Sequence, residues 1–405
     1  MSSLDLTSFD AALKQHYTSD QVQNLVYKDN PLLALIPKYT KFGGKNLPIP
    51  IIYGNPQGRS ATFSTAQSNK TPSKITDFVL TRNHDYALAS IDNETMMASQ
   101  GDANAFMEAA TTEIDGAIQA ATRSLAVAMF RDGSGTIGQV ANTTFTTTTL
   151  TLSNPDEITN FEVGMKVQLS SAGTSATLRN SGAAMEVQAV DRSSGILTFS
   201  AAINSVITAA ATSDYINVEG DIESKVTGLD GWLPSSSPSA TAFFGVDRSV
   251  DPTRLAGVRY DGSALPIEEA LIEGIVRVSR EGGSVSHAFL NFDKYSDLEK
   301  ALGSKVQYVD LRANAEIAFR GIMINGPKGP VRVVPDQNCL PAVCFPLQLD
   351  MWKLYSLGDA PMILDSDGNK MLREASSDAV EVRVGYYAQV GSRAPGWSGN
   401  ITLSS

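Results

Sequence analysis

The longest helical pattern in the sequence runs from Gln100 to Gly135, and it constrains the fold more than any other stretch. Apolar residues recur in it at steps of three or four, which places them on one face of a helix. They are Phe106, Ala110, Ile114, Ile118, Ala121, Leu125 and Met129. Asp102 or Asn104 can cap the start, and Gly133 followed by Gly135 ends it. About 28 residues at about 1.5 Å each give a rod about 40 Å long, against a mean of about 11 residues for globular helices.

A rod of this length between two strand-rich regions predicts a spine to which the other segments attach. Much of its apolar face consists of alanine, which predicts close packing against a sheet. The alanines are Ala109, Ala110, Ala117, Ala120 and Ala121.

Composition predicts a folded protein of more than one domain. A chain of 405 residues exceeds what one core usually holds, and 42% hydrophobic and 19% charged residues are typical of globular proteins. No apolar run approaches the about 20 residues of a membrane span, and the first residues lack the features of a secretory signal. The net charge of −11 argues against a dedicated nucleic-acid binder. Cys339 and Cys344 are expected to be buried thiols in a reducing compartment.

Residues 1–50 are predicted to form an arm. The segment SDQVQNLVYKDN predicts a short amphipathic helix, after which several prolines and Gly43–Gly44 favour extended chain. An apolar cluster in this part has no partner nearby in sequence, so it must dock elsewhere on this chain or on a neighbouring copy. The cluster is Leu32, Leu33, Leu35 and Ile36. Over residues 1–60, six basic and four acidic side chains leave a charge of +2, which suits packing against other subunits.

Residues 46–97 predict two long strands joined by a polar loop. The first strand is NLPIPIIYG, the second is ITDFVLTRNHDYALASIDNETMMAS, and the connector is rich in Ser, Thr, Asn, Gly and Pro. In the second strand, apolar residues alternate with polar ones at Phe78 and Leu80 and again at Tyr86 and Leu88. A hairpin of this length cannot bury both faces on itself. We therefore expect a protruding loop that lies on a partner surface.

After the helix, the composition changes to short β-rich runs separated by Gly, Ser and Asn turns. Residues 140–218 therefore predict a small all-β barrel or sandwich inserted into a larger domain. Between residues 136 and 227, four basic and nine acidic side chains leave a charge of −5. This module should therefore present a solvated, exposed face.

A second α/β region begins near residue 220. Pro266 starts a predicted helix that ends at Gly282–Gly283. Its apolar face is formed by Ile267, Ala270, Leu271, Gly274, Ile275 and Val278. VSHAFLNF predicts a buried strand, KYSDLEKAL a second helix, and the segments up to MILDSDG further strands. The last stretch, AVEVRVGYYAQVGSRAPGWSGNITL, predicts a pair of strands.

None of the candidate motifs supports enzyme chemistry. Gly133 to Gly138 matches G-x-G-x-x-G, but a helix precedes it, which favours a helix stop and turn over a dinucleotide site. Asp365 to Asn369 covers half of a calcium loop and is more typical of an Asp-Gly turn. His84 and Asp85 are strand neighbours that point to opposite faces. We predict no enzyme activity and no catalytic, cofactor-binding or metal-binding residues.

The order of these parts resembles that of the tailed-bacteriophage major capsid proteins of the Hong Kong 97-type fold. Five segments are similar to the arm, loop and spine of one phage capsid group. They are DNPLLALIPK, GGKNLPIPIIYGNPQGRSATF, AQSNK, DYALASIDNETMMASQGDANAF and MFRDGSGTIGQV. The resemblance implies an α+β fold with an N-terminal arm, an extended β-hairpin loop, a long spine helix, a peripheral domain and an α/β axial domain. The β-rich stretch 140–218 departs from the minimal fold as an insertion in the peripheral domain.

By this resemblance the chain divides into five parts. They are the arm 1–50, the extended hairpin loop 51–99, the peripheral domain 100–227 with spine helix 100–135 and insertion 140–218, the axial domain 228–376, and C-terminal strands 377–405 that return to the peripheral domain. Some members cross-link a loop lysine to an asparagine of a neighbour. No matching motif extends that role to Lys70 or Lys74, which we interpret as solvated lysines.

The resemblance implies a head protein that assembles as hexamers and pentamers into an icosahedral shell around packaged double-stranded DNA. Its partners would be copies of itself, portal and scaffolding proteins, in some members decoration proteins, and DNA in non-specific contact. No cofactor and no membrane are implied, and the location would be the virion after assembly in the host bacterial cytoplasm. The alternatives are a cellular nanocompartment shell of the same fold, or an adhesion or carbohydrate-binding protein carried by residues 140–218.

Overall fold

The computed structural model describes residues 29–92, 103–303, 308–314, 317–365, 370–374 and 377–404. The amphipathic helix predicted in SDQVQNLVYKDN lies outside these residues except for its last two. Most of the predicted turn at Asp365 to Asn369 lies outside them as well.

The described residues form both helices and strands, and strands predominate after Leu302. The helices are α1 Pro31–Leu35, α2 Phe63–Ser68, α3 Ala103–Ala128, α4 Ile203–Val206, α5 Leu229–Trp232, α6 Pro252–Ala256, α7 Ile267–Arg280 and α8 Phe292–Leu302. The strands are β1 Lys38–Tyr39, β2 Asn46–Gly54, β3 Lys74–Thr81, β4 Asn83–Asp92, β5 Thr136–Gln139, β6 Thr149–Thr151, β7 Lys166–Ser170, β8 Ala184–Asp191, β9 Ile196–Phe199, β10 Tyr215–Val218, β11 Val258–Asp261, β12 His287–Leu290, β13 Tyr308–Asn314, β14 Ile317–Gly326, β15 Gly329–Pro335, β16 Val343–Leu347, β17 Trp352–Ser356, β18 Met362–Ile363, β19 Met371–Arg373, β20 Ala379–Ser392 and β21 Gly399–Thr402.

The predicted spine is helix α3, which spans 26 residues and packs on β4 and β20. The apolar residues of its predicted face whose side chains are described are confirmed as core, each at most 2% exposed. They are Ile114, Ile118, Ala121, Leu125 and Met129. The helix ends at Ala128 rather than at Gly133, because the next carbonyls accept hydrogen bonds from the returning chain. Leu229 N–H donates to Met129 O at 2.7 Å, and Gly228 N–H donates to Arg131 O at 2.8 Å.

The prediction is wrong for one alanine of the predicted alanine face. Ala121 is buried, but Ala120 is exposed. At about 100° per residue, Ala120 lies about 200° around the helix from Ile118, on the side away from the sheet. The predicted cap Asp102 and the side chains of residues 103–110 lie outside the described part of the chain.

Strand β20 is 14 residues long and forms the centre of a six-stranded sheet, the spine sheet. One edge of β20 pairs antiparallel with β4, from Ala379 opposite Asp92 to Ala388 opposite Asn83. Its other edge pairs in succession with β19, β18 and β17, and β1 of the arm adds a parallel strand beside β17. The spine sheet therefore joins the arm, the hairpin segment and the C-terminal part of the chain.

The second long strand predicted for the hairpin divides at Arg82. Strands β2 and β3 pair with each other, whereas β4 leaves them and joins β20. The buried face changes phase at the same point, because Phe78 is buried and Ala89 is also buried, while Tyr86 and Leu88 are exposed. Side chains alternate along a strand. Arg82 lies outside both strands, and the buried positions change there from even-numbered to odd-numbered residues.

A mixed sheet of seven strands has the order β11-β21-β16-β12-β15-β14-β13. Helix α7 packs on it, and the predicted apolar face is confirmed, since Ala270, Leu271, Gly274, Ile275 and Val278 are buried. The predicted strand and following helix are β12 and α8. A Cβ at Gly274 would come within 2.2 Å of the Ile401 side chain, so glycine lets α7 lie close to β21.

The predicted pairing of the two C-terminal strands is wrong. Strand β20 lies in the spine sheet, whereas β21 pairs with β11 and β16 in the mixed sheet. A short 3₁₀ helix, Pro395–Trp397, connects the two strands, and the chain passes through it from the spine sheet to the mixed sheet. The predicted axial segment 228–376 is divided in the same way, because its strands β17, β18 and β19 belong to the spine sheet.

Residues 136–218 form a closed barrel, which confirms the predicted all-β module. Its strand order is β5-β10-β7-β8-β9-β6, and the two outer strands meet. Ala141 N–H donates to Thr151 O at 2.9 Å, and Ser153 N–H donates to Gln139 O at 2.8 Å. The barrel has an apolar core of its own, with Phe161 fully buried.

Candidate assembly surfaces

The hairpin of β2 and β3 is anchored at its base and exposed at its outer end. Near the base, Ile49 and Phe78 lie opposite each other and are at most 4% exposed. Phe78 packs edge-on against Trp232, with ring centroids 4.9 Å apart. Farther out, Ile52 and Ile75 are also opposite each other, but they are 63% and 59% exposed. The outer end therefore presents apolar side chains to solvent.

Beyond this pair, residues 55–73 form the tip of the hairpin. No residue of α2 is buried, and Phe63 is 82% exposed. Residues 55–74 carry Arg59, Lys70 and Lys74 and no acidic side chain, on a chain of net charge −11. Exposed apolar side chains beside charge of one sign are typical of a surface that binds a partner of the opposite sign.

The outer face of β4 and β20 is a second exposed apolar surface. Tyr86 and Leu88 are 49% and 60% exposed, and the Tyr86 hydroxyl lies 3.1 Å from that of Tyr387. This hydrogen bond raises the pKa of Tyr86 to about 12, so its phenol stays neutral at neutral pH. Leu88 lies opposite Arg383, whose guanidinium pairs with Glu381. The surface is thus an apolar centre with a charged rim.

On the inner side of the same strand, a polar cluster ties β4 to the spine helix. Asp85 Oδ2 accepts hydrogen bonds from Lys225 Nζ at 2.5 Å and from Ser124 Oγ at 2.6 Å. The Tyr386 hydroxyl lies 3.3 Å from the same oxygen. Lys225 Nζ is also 3.0 Å from Asp221 Oδ2. Strand β4, helix α3, strand β20 and the segment that leaves the barrel therefore meet at the Asp85 carboxylate.

This cluster is largely withdrawn from water, since the Lys225 and Asp85 side chains are 10% and 16% exposed. Burial raises the pKa of Asp221, while the charge and hydrogen bond of Lys225 oppose that shift. Removing one partner of such a pair leaves an uncompensated charge, which costs about 3–5 kcal/mol. The sequence showed no sign of this cluster, because Asp85 and Lys225 are 140 residues apart in the chain.

The buried carboxylate of Asp336 accepts a hydrogen bond from the backbone of the arm. The apolar cluster of the arm docks on its own chain, with Leu32 only 1% exposed in the same core as α3. Leu32 N–H donates to Asp336 Oδ2 at 3.1 Å, and Asn338 Nδ2 donates to Asn30 Oδ1 at 3.0 Å. Burial raises the pKa of Asp336 to about 6. Of the two predicted alternatives for this cluster, docking on the same chain is therefore the one observed.

Two arginines beneath the barrel connect it to the spine. Arg131 Nη2 lies 2.7 Å from Glu157 Oε1, and these side chains are 14% and 11% exposed. Arg123 Nη1 lies 2.6 Å from Glu162 Oε1 in a more exposed position. Glu157 belongs to the 3₁₀ helix Pro155–Asn160. The barrel is thus bridged to the spine at a few points while it keeps its own core.

The structure also tests the predictions for the glycine motif and for the two cysteines. Gly135 has a φ of 81°, and a Cβ there would meet the Asp221 carbonyl oxygen at 2.4 Å, which confirms the predicted turn, although the helix itself already ends at Ala128. Cys339 and Cys344 are buried free thiols, as predicted. Within the described ranges, no group of three or more His, Cys, Asp or Glu side chains is placed to hold a metal ion. No helix in the same ranges is long and apolar enough to cross a membrane.

Comparison with solved structures identifies the fold. The asymmetric unit of the cyanophage A-1(L) capsid matches with a TM-score of 0.54 at 12% identity, over 92% of this chain and 92% of that chain. The capsid of a native GTA particle with C5 symmetry matches at 0.46 and 10% identity, over 92% and 90%. The virus-like particle from Pyrococcus furiosus matches at 0.39 and 8% identity, over 94% and 96%. No protein-family model and no curated protein matches the sequence.

The likeness to the cyanophage capsid extends over nine-tenths of both chains. This chain therefore has the fold of a phage capsid protein, and the predicted Hong Kong 97-type α+β fold is confirmed. The two likenesses with TM-scores below 0.5 support no inference about this chain.

Proposed function

We propose that this chain is the major capsid protein of a tailed phage, which assembles as hexamers and pentamers into an icosahedral shell around double-stranded DNA. One observation carries the proposal. On a chain with a capsid fold, the base of the β2–β3 hairpin is built into the core, whereas its tip, with Phe63 82% exposed, lies outside every core of the described residues. Such an exposed element needs a partner.

The geometry of the exposed surfaces supports assembly by contacts between unlike surfaces. Closed rings arise when one surface of a copy fits a different surface of the next copy. The tip is basic and apolar, while the outer face of β4 and β20 is apolar, with the ion pair of Glu381 and Arg383 at its rim. These two surfaces differ in composition, so a contact between them would join unlike surfaces.

The proposal includes a division of labour within the chain. Residues 1–50 act as the arm and 51–99 as the extended loop. The spine sheet, α3 and the barrel form the peripheral part, and the mixed sheet with α7 and α8 forms the axial part. The proposed partners are further copies, portal and scaffolding proteins and packaged DNA. The net charge of −11 fits a shell that leaves DNA free to slide. The proposed location is the virion, after assembly in the host cytoplasm.

Electron microscopy of the purified full chain tests the proposal. Closed shells or ring-shaped capsomers are expected, and a chain that stays monomeric under every assembly condition would contradict it. Phe63→Ser should give a folded protein that does not assemble. The matched control Val163→Ser removes an apolar side chain that is 64% exposed on the barrel, and should still assemble.

The particle content separates this proposal from the nanocompartment alternative. Particles from a phage lysate should protect double-stranded DNA from nuclease. Particles that hold protein and no DNA would favour a cellular shell of the same fold.

A further inference from the structure

Two arginines near the end of α5 have no carboxylate partner. Arg248 lies in the 3₁₀ helix Arg248–Val250, and Arg259 lies in strand β11. Within the described part of the chain, neither forms an ion pair with an N···O distance of 4.0 Å or less. Arg131 and Arg179 are the usual case, because each pairs with a carboxylate side chain that is at most 11% exposed. Arg248 and Arg259 therefore carry positive charge without a direct counterion.

The Arg248 guanidinium is buried, yet only part of it is hydrogen-bonded. The residue is 8% exposed, and its Cζ lies 3.7 Å from the centroid of the Phe243 ring. Its Nη1 donates to Gly231 O at 2.9 Å and to Trp232 O at 3.2 Å. Nε is buried without a partner, and Nη2 makes no hydrogen bond to a described residue. Two neighbouring N–H groups are thus unused, the arrangement with which arginine binds two oxygens of one anion.

Arg259 reaches the same place from the mixed sheet. Its Nη1 donates to Pro252 O at 3.2 Å and to Gly257 O at 3.3 Å. A Cβ at Gly257 would come within 2.3 Å of the Leu233 side chain, which adjoins the carbonyl groups that Arg248 binds. Burial and the nearby charge of Arg259 lower the pKa of Arg248 to about 10. Both guanidinium groups therefore stay charged at neutral pH.

Asn400 adds a buried acceptor that has no donor. It is the register partner of Arg259 in the parallel pair β11 and β21, so both side chains lie on the same face of the sheet. Asn400 is 2% exposed, and its Nδ2 donates to Leu233 O at 2.8 Å. Its Oδ1 has no hydrogen-bond partner, although buried polar atoms are normally paired. A ligand at this place can therefore use a donor as well as acceptors.

These three side chains together favour one kind of ligand. The two guanidinium groups require an oxyanion. An amide oxygen accepts only from a group that carries hydrogen, and hydrogen phosphate has an O–H at neutral pH, whereas sulfate has none. The phosphodiester groups of duplex DNA lack an O–H as well. Because Arg248 and Asn400 are both more than nine-tenths buried, the ligand must also be small.

We propose that Arg248, Arg259 and Asn400 form a binding site for hydrogen phosphate. The two guanidinium groups neutralise the anion, and Asn400 Oδ1 accepts its O–H. The bound anion links the 3₁₀ helix Arg248–Val250 to the mixed sheet. This inference does not depend on the proposed shell function, because all three residues belong to one chain.

Isothermal titration calorimetry of the full chain tests the proposal, with inorganic phosphate added at neutral pH and the ionic strength held constant with chloride. Saturable binding of phosphate is expected. Arg259→Gln should weaken it about ten-fold or more, since it removes hydrogen bonds to a charged ligand. The control Arg280→Gln removes the same charge from an exposed position of α7, and should leave the affinity unchanged.

Two results of this titration would overturn the proposal. The first is the absence of saturable phosphate binding to the unsubstituted chain. The second is an equal affinity in the Arg259→Gln and Arg280→Gln variants, which would show that phosphate responds only to the overall charge.

A second measurement identifies the ligand without any substitution. Sulfate should bind at least several-fold more weakly than phosphate, because it offers no hydrogen to Asn400 Oδ1. Duplex DNA without terminal phosphates should not compete with phosphate. Equal affinity for sulfate, or competition by the DNA, would overturn the assignment of hydrogen phosphate.

Discussion

The barrel and the spine sheet each contain six strands, but the chain reaches them in opposite ways. All strands of the barrel come from residues 136–218 and enclose a separate core. The spine sheet takes β1 from residues 38–39 and β20 from residues 379–392, and it shares its core with the arm, α3 and α5. The barrel is therefore a local folding unit, whereas the spine sheet needs almost the whole chain.

This difference has a consequence for stability. Local units can open and close independently, while a sheet assembled from distant segments unfolds as one. We therefore expect two unfolding transitions, one for the barrel and one for the spine sheet with its core. Each variant below is paired with a control in the other region or on the other side of the same element.

The largest effects are expected for the aromatic residues of the two cores. Trp232 contacts Phe78 and Trp352 and donates its indole N–H to Val390 O at 3.1 Å. Trp232→Ala should lower the free energy of unfolding of the spine transition by about 3–5 kcal/mol. Phe161→Ala should cost a similar amount in the barrel transition alone. Differential scanning calorimetry measures both, and a single transition that shifts equally in both variants would contradict the comparison.

The next effects concern buried ion pairs. Lys225→Met leaves Asp85 and Asp221 without their cation, and should destabilise the spine transition by about 3 kcal/mol at pH 7. The barrel has a matched pair, because Arg179 Nη2 lies 2.7 Å from Asp214, whose side chain is 2% exposed. Arg179→Met should destabilise only the barrel. Urea denaturation, monitored with one spectroscopic probe in each region, measures the stability of the two regions separately. Equal destabilisation of both regions by either variant would contradict the prediction.

The loss in free energy of unfolding caused by Lys225→Met should become smaller as the pH falls from 7 to 5. The pKa of Asp221 is already raised by burial, and Lys225 opposes that shift, so removing Lys225 should raise this pKa further. A carboxyl group whose pKa is higher in the folded state binds protons more tightly there, so it adds stability as the pH falls through that pKa. If the loss in free energy of unfolding is the same at every pH, the carboxylates do not become protonated and the prediction is wrong.

A smaller effect is expected from overpacking the spine. Ala121 is 2% exposed against the spine sheet, so Ala121→Phe should cost about 1–3 kcal/mol and impair shell assembly. Glu113→Phe adds volume at an exposed position of the same helix, and should change stability by less than about 0.5 kcal/mol. Chemical denaturation and microscopy measure the two effects. Normal shells from Ala121→Phe would show that the buried face is assigned wrongly.

The smallest effect concerns the bridge between the two regions. Glu162 pairs with Arg123 of the spine at 2.6 Å and with Arg192 of the barrel at 2.8 Å, and all three side chains are partly exposed. Either arginine changed to Gln should cost less than about 1 kcal/mol. Of these two arginines only Arg123 lies on α3, and it also donates to the Thr159 carbonyl, so only Arg123→Gln should raise hydrogen exchange in residues 155–160. The same exchange in both variants would mean that this bridge does not couple the regions.

The same comparison explains which predictions were correct. The barrel and α7 were predictable, because their hydrophobic patterns and turns lie within short stretches of sequence. The buried face of α3 was predictable at Ile114, Ile118 and Leu125, but Ala120 was misplaced, since alanine is small enough to lie on either side of a helix. The pairing of β21 was predicted wrongly, because nothing in a local pattern says which of two sheets a strand will join.

The sequence by itself therefore determined the long spine helix, the β-rich module, the extended hairpin segment and the capsid-like order of parts. These follow from periodicity, turn residues and local sequence similarity. Only the tertiary structure decided that the hairpin strand divides at Arg82, that Lys225 meets Asp85 and Asp221, and that Leu32 of the arm docks in the same core as the spine helix. Those features depend on contacts between residues far apart in the chain, and burial and charge act through such contacts regardless of sequence distance.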